Sequence, residues 1–530
     1  MSALKLPAFG IPCGTSQMTP DVKLDIQSFL DAAAGTMQQL GVSVSDECSS
    51  QVGMGFVEHW RSQQYPHCMP KEAQPINSSV VCHARDGSEV PFTICASQNA
   101  VIADSAGLVG PGTFGSVLLG CDAAGSAVPE DKWRDPNKRW FLGAARDKQY
   151  KDISQHCAAG DPANQIVAHP LFFLERYDPT NIFHFLEEIV TTFISLAVAG
   201  FDPGEGLQVV VIDGMQKGLY VEALERLSHP WPVRWMHAEP FAPNTCVRKA
   251  LHNTHAGSSL LSYLGVGRPN TCHSVILQAL SNWLRALFAD AVQETPQLPL
   301  ASGGSADASA GVSSRREAAR SLLAQQNITA ASMQDPSAFM QERSNAIRAL
   351  LADPATQNTD VRDLTVLWIS RQVFEHTHTL SGWQAGRILR NENDIVLHLQ
   401  KVINEWNAGS CLLQSMDTQG NSQCRRTQTI FRLQTVELSS LTLVQQLSVT
   451  AKASILVGVH GAGLAHAAFM KPNHGAIVEL RIGGTMGSWH YHNMAHHLGL
   501  HYKNLDLGGG TVLVEAISSA VAEMMDKIAE

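Results

Sequence analysis

Charge is scarce in this chain: only 16% of its 530 residues are Asp, Glu, Lys or Arg, against a usual share of about 25%. Lys and Arg number 38 and Asp and Glu 48, a balance of −10 with the 22 His neutral. That balance argues against nucleic acid as the main partner, since phosphate binding needs clustered Lys and Arg. It leaves room for a local basic pocket. No run of about 18 apolar residues occurs, so no membrane span is expected. Ile189 to Gly200 is apolar but short, contains Thr191, Thr192 and Ser195, and reads as the end of a core helix. Met1 to Gly14 lacks a basic segment followed by an apolar one, so no signal peptide is visible. None of the 11 Cys forms a C-x-x-C pair, which argues against structural zinc. There is no G-x-x-x-x-G-K-[ST] loop, no G-x-S-x-G elbow and no Asp-x-Asp element. These absences set aside a P-loop enzyme, a serine hydrolase and a ready-made acidic metal clamp.

What is present is enough apolar material, 44%, to exclude wholesale disorder. The length allows about three domains. Thr19-Pro20 opens a helix whose apolar stripe runs from Leu24 to Leu40 and stops at Gly41. The rest of 1–165 is rich in Cys, Gly and Pro and gives no topology; it is taken as a region joined to a first lobe. Over 166–291 strands and helices alternate: a strand at Val167 to Leu174, a helix at Asn181 to Ala199, a strand at Gln208 to Ile212, a helix at His273 to Ala291. Residues 292–360 interrupt this as a linker or insertion, flexible at Ala301 to Ser314, with a helix at Ser337 to Leu351. A second unit fills 361–530. Its strands are Thr365–Ser370, Phe431–Val436, Ser454–Val459 and Ala476–Leu480. Its helices are Asn391–Trp406, Ser440–Ala451, Gly463–Met470, Tyr491–Leu498 and Val512–Ile528. The alternation predicts parallel α/β layers in two lobes, with ligands beyond the carboxyl ends of the strands. Cys246 with Cys272, and Cys411 with Cys424, are placed to close loops as disulfides; buried free thiols are the alternative. Asn77 and Asn327 lie in glycosylation sequons.

The sharpest local feature is Ile455-Leu456-Val457-Gly458-Val459-His460-Gly461-Ala462-Gly463-Leu464. A buried strand runs into a glycine-rich turn that opens a helix. Such a turn exposes backbone N–H groups at a partly positive helix end and suits a phosphate or diphosphate. The glycine order here is G-x-x-G-x-G, not the dinucleotide G-x-G-x-x-G, which disfavours a nicotinamide oxidoreductase. A tight turn that needs glycine only for packing is an equally simple reading.

Residues 454–480, SILVGVHGAGLAHAAFMKPNHGAIVEL, resemble the signature of glycosyltransferase family 61. Trp368-Ile369-Ser370-Arg371 is similar to that family's strand ending in Ser-Arg, and Arg387-Ile388-Leu389-Arg390-Asn391-Glu392 to its Arg-x-x-x-Asn-Glu element. Tyr491, Ala495, Gly499 and Tyr502 fit its last helix–strand unit. Asn181-Ile182-Phe183-His184 with Glu188 resembles its Asn-x-x-His-x-x-x-Asp element, with Glu standing for Asp. The nearest branch is similar to the EGF-domain-specific O-linked N-acetylglucosaminyltransferases, with the plant β-1,2-xylosyltransferases in the same family.

The resemblance implies a GT-B fold of two Rossmann-like lobes facing a cleft, with the flexible insertion between them. The implied activity is inverting transfer of a sugar, GlcNAc or xylose, from a UDP-sugar donor to a hydroxyl of a protein or glycan acceptor in the endoplasmic reticulum or Golgi lumen. Donor contacts would come from Arg371, Arg387, Asn391, His460, Gly461, Ala462, Gly463, Leu464 and Glu479. The base would come from His184 with Glu188, or from Asp213 at the exit of a strand. No metal motif is seen among His490, His492, His496, His497 and His501, although Mn2+ or Mg2+ aiding the diphosphate stays open. The rival from another class is a catalytically inactive nucleotide- or sugar-binding module of the same fold.

Overall fold

The structure is a computed structural model. It describes residues 26–71, 75–84, 93–104, 116–123, 152–158, 165–201, 206–228, 230–252, 260–261, 268–289, 362–370, 389–410, 429–482, 487–507 and 513–529. The expected helix cap at Thr19-Pro20, residues 292–360, Arg371, Arg387, Asn327 and the Cys411–Cys424 pair lie outside the described residues.

Among the described residues fifteen strands form two sheets. The first sheet takes β1 (Gln64–Met69), β2 (Ser79–Ala84), β3 (Thr93–Asp104), β4 (Ser116–Leu119), β5 (Asp122–Ala123), β6 (Ile166–Val167), β7 (Leu171–Leu174), β8 (Gln208–Val211), β9 (Arg234–Trp235) and β10 (Thr245–His252). Its order is β5-β1-β2-β3-β10-β7-β8-β9, with β4 beside β3 and β6 beside β10. The half built from 64–123 is antiparallel, and the half built on β7 and β8 is parallel. The second sheet takes β11 (Arg362–Ile369), β12 (Thr429–Val436), β13 (Ala453–Val459), β14 (Ala476–Ile482) and β15 (His501–Leu507). All its pairs are parallel, in the order β12-β11-β13-β14-β15. Every residue of β13 and β14 is buried, as expected where helices cover both faces of a parallel sheet.

The helices are α1 (Ile26–Gln39), α2 (Asp46–Val52), α3 (Met54–Ser62), α4 (Ser154–Cys157), α5 (Ile182–Ala199), α6 (Val221–Leu227), α7 (Val275–Leu287), α8 (Glu392–Ser410), α9 (Leu443–Ala451), α10 (His490–His497) and α11 (Val514–Ala529). Helix ends follow local chemistry. Asn181 caps α5 by accepting the Phe183 N–H, and Gly200 closes it in the left-handed region at φ 63°. Thr442 and Gln445 form a reciprocal capping box on α9. Among the described residues α5 is the one helix long and apolar enough to cross a membrane, and it is 83% buried in the protein core.

One apolar core joins both sheets. Leu30 of α1, Trp60 of α3, Phe193 of α5 and Trp283 of α7 belong to the same cluster as Leu447 of α9, Phe469 and Met494 of α10. The outer face of the second sheet is closed by α8 and α11 through Ile395, Leu399, Val521 and Met524. Helix α7 also docks by polar contacts: Ser281 Oγ donates to the Met470 carbonyl at 2.8 Å, and Arg285 Nη1 to the carbonyls of Ala451 and Phe469 at 2.9 and 3.0 Å. Each of these caps a chain end that would otherwise be buried unsatisfied.

Among the described residues there are four disulfides: Cys48–Cys272, Cys68–Cys121, Cys82–Cys95 and Cys157–Cys246. They correct the expected Cys246–Cys272 closure. Cys246 opens β10 beside β6, where α4 delivers Cys157, while Cys272 enters α7 against α2, where Cys48 sits.

Candidate functional site

Strand β13 lies between β11 and β14, and its carboxyl end opens into His460 and Gly461. The next segment, Ala462–Phe469, is a 3₁₀ helix, where a short helix at Gly463–Met470 was expected. Two glycines have a packing reason. A Cβ on Gly458 or on Gly463 would meet the Ile369 side chain at 3.3 Å, a tight contact that Ile369 would have to relieve by a few tenths of an ångström. Gly461 and His460 are buried, while Ala462 and Gly463 are half-buried, so the bend reaches solvent through its two small residues. The N–H groups that open a helix have no partner inside it, and here those are at Ala462 and Gly463. The Tyr491 hydroxyl donates to the Gly461 carbonyl at 2.5 Å and fixes the bend from α10.

Beneath the bend lies a buried ionic cluster. Glu479 of β14 is fully buried and accepts hydrogen bonds from His460 Nδ1, from the Tyr502 hydroxyl, and from Arg481 Nε at 3.3 Å. Burial alone would push the Glu479 carboxyl up. The His460 and Tyr502 hydrogen bonds, with the charges of His460 and Arg481, more than offset it and hold the group below its ordinary value. An ionised Glu479 makes Nδ1 the donating nitrogen of His460; in the imidazolium form the other nitrogen donates as well. Oε1 accepts from His460 and Oε2 from Tyr502 and Arg481, and the carboxylate is fully buried, so Glu479 orients His460 from beneath the bend.

The first sheet contributes the amino end of α5. Phe183 packs its ring edge on His490 at 5.1 Å and on Tyr491 at 6.4 Å, which brings α5 against α10. His184 sits beside it with a side chain 29% exposed, its Nδ1 bonded to the buried Glu187 Oε2 at 2.7 Å. Burial lowers His490, and the charge of His460 and, more weakly, that of His184 add to the effect. Ring contacts run from His184 to Phe183 at 5.8 Å, from Phe183 to Tyr491 at 6.4 Å and from Tyr491 to His460 at 5.1 Å, so the two histidines are linked through the contact of α5 with α10.

Other expected residues are placed differently. The partner of His184 is Glu187, three residues on, and not Glu188. Glu188 accepts the Tyr177 N–H at 2.7 Å, its second oxygen has no hydrogen bond among the described residues, and burial pushes its pKa up to about 8. Asp213 is held by a buried fork from Arg176, at 2.6 Å to Oδ1 and 2.9 Å to Oδ2. Arg176 also donates to the carbonyls of Lys217 and Met215, so this pair folds the loop after β8 and leaves little of Asp213 for a proton. Asn391 is half-buried just before α8, and the next residue, Glu392, accepts the Trp368 Nε1–H at 2.6 Å. Leu464 is fully buried in the core. On α10, His496 and His497 are depressed by burial and then by neighbouring histidines, to about 4 and about 3. Among the described residues no group of three or more His, Cys, Asp or Glu is placed to hold a metal ion.

Glu187, Arg481, Tyr491 and Tyr502 carry much of this geometry and were not singled out for it in the sequence. Glu187 at i,i+3 and Glu188 at i,i+4 both lie within reach of His184 along the helix, so spacing alone named the pair and not the partner. Arg481 was findable from the period of two that puts it on the Glu479 face of β14.

The family model described as Glycosyltransferase 61 matches residues 182–477, more than half of the 530. The chain belongs to that family and carries its transferase domain. No curated protein matches. Among solved structures, the metal-soaked Flv1 flavodiiron core from Synechocystis sp. PCC6803 aligns at 8% identity over 88% of this chain and 98% of that one. Its TM-score of 0.20 is too low to carry any argument.

Proposed function

We propose that this protein is an inverting, GT-B-type glycosyltransferase. It moves GlcNAc or xylose from a UDP-sugar to a hydroxyl of a protein or glycan acceptor in the secretory pathway. The observation that carries the reading is a pair of carboxylate-held histidines, His460 on Glu479 and His184 on Glu187, linked through the rings of Phe183 and Tyr491. The four disulfides support an oxidising compartment.

In this reading the diphosphate lies on the bend. The N–H groups of Ala462 and Gly463, with the imidazole of His460 beside them, offset the charge that builds as UDP leaves. Arg371 would follow β11, whose last residue, Ile369, lies beside Gly458, and with Arg387 and Asn391 it remains a proposed donor contact. His184 takes the acceptor proton on Nε2 while Glu187 fixes Nδ1–H and steadies the imidazolium. Such a base contributes about 10²- to 10⁴-fold. The proton leaves the acceptor oxygen as that oxygen bonds to the anomeric carbon and the carbon–phosphate-oxygen bond breaks. Glu188 and Asp213 support the fold of this region instead.

The test is a thermal-shift and transfer screen with UDP, GDP, UDP-GlcNAc and UDP-xylose. A rise in melting temperature with UDP and release of UDP in the presence of an acceptor are expected. Binding without turnover would replace this reading with the inactive module, and no response to any UDP compound would remove both.

A further inference from the structure

A second cavity, of about 340 Å³, opens at the other end of the second sheet. It is bounded by the amino ends of β11, β13, β14 and β15 and by the carboxyl ends of α9 and α11. Strand β13 spans 7 residues, so the cavity lies roughly 20 Å from the His460 bend at about 3.3 Å per residue. Arg285, Arg362, Lys452, Lys471, His474, His501 and Lys527 line it, against a single carboxylate, Asp363. That carboxylate is already paired: Arg432 holds both of its oxygens, at 2.8 and 2.7 Å.

Cations gather at helix carboxyl ends for a simple reason, since the dipole there is negative. Here Arg285 already satisfies the carbonyls at the ends of α9 and the 3₁₀ turn, and Lys527 is paired with Glu523 at 2.9 Å. Arg362, His474 and His501 come from strand starts and a loop, where no helix end calls for them. Among the described residues Arg362 and Lys471 have no carboxylate within ion-pair distance. The local field is positive in a chain of net charge −10. Burial lowers His474, and the charges of Lys471 and Arg362 lower it further; burial and then Lys527 do the same to His501.

We propose that this basin binds a small polyvalent oxyanion of the phosphate type, held chiefly by Arg362 and Lys471, at a site separate from the His460 bend. Arg362 offers a planar fork suited to two oxyanion oxygens, and Lys471 a point charge.

The experiment is a calorimetric titration of the full chain with inorganic phosphate and with pyrophosphate, at ionic strength matched with sodium chloride. Wild type, an Arg362→Ser/Lys471→Ser double variant and His460→Ala are compared. Both substituted basin residues are exposed, so the double variant should keep the wild-type unfolding temperature. Saturable binding in wild type and His460→Ala, weakened about tenfold or more in the double variant, is the expected result. No saturable heat in wild type would overturn the proposal and leave only neutralisation of helix ends. Binding unchanged in the double variant, or lost in His460→Ala, would overturn it by placing the anion at the bend or elsewhere.

Discussion

Replacing Glu188 by Gln should make the protein more stable at neutral pH, not less. In the fold Glu188 is buried, accepts one N–H from Tyr177, and has its pKa pushed up to about 8 from 4.5, with burial as the largest cause. A raised carboxyl means the folded state holds a proton that the unfolded chain has released. Stability is then fully present below the unfolded value near 4.5 and is lost as pH rises through about 8. One unit corresponds to about 1.36 kcal/mol, so at pH 7 the loss is on the order of 3 kcal/mol. Gln keeps the acceptor for Tyr177 and has no proton to lose. With an unfolding entropy of about 2.1 cal/mol/K per residue over 530 residues, 3 kcal/mol amounts to roughly 3 °C in melting temperature. Melting followed by near-ultraviolet circular dichroism from pH 5 to 8 should show the wild type falling relative to Glu188→Gln by that amount. Parallel curves, or a variant that melts lower at pH 8, would refute the reasoning.

Three further outcomes follow from other sites. Arg176→Met leaves Asp213 charged and buried and should cost about 3–5 kcal/mol, whereas Arg176→Met/Asp213→Leu should cost less, as a double-mutant cycle in urea will show. Cys157→Ser/Cys246→Ser opens a bridge spanning 89 residues and should lower stability by about 4 kcal/mol, read from non-reducing denaturation curves. Tyr491→Phe removes the hydroxyl that holds the Gly461 carbonyl, and should weaken UDP binding severalfold while leaving acceptor KM unchanged; an unchanged UDP affinity would detach Tyr491 from the bend.

The second sheet was largely readable because its strands are short β-branched runs and its helices carry caps: β13 at Ala453–Val459 and α9 at Leu443–Ala451 lie within a few residues of their expected ends. β15 was harder, since His501–Leu507 is only partly buried and reads as polar chain. The antiparallel region before β6 had no legible topology. Its strands are joined by Gly- and Pro-rich segments and pinned by Cys68–Cys121 and Cys82–Cys95, and disulfide partners are not encoded in local pattern. The bend itself was legible as a strand-to-glycine turn, yet the close approach of Ile369 to Gly458 and Gly463 was not. The choice between Glu187 and Glu188 was not legible, because both lie within one turn of His184 and only packing decides which one reaches it.

The most direct measurement separates the two histidines: UDP affinity and transfer rate for His184→Ala and His460→Ala under one set of conditions. The division of labour predicts that His184→Ala binds UDP like wild type and loses about 10²- to 10⁴-fold in kcat, while His460→Ala loses UDP binding itself. A His184→Ala enzyme that turns over at the wild-type rate, or a His460→Ala protein with undiminished UDP affinity, would contradict it.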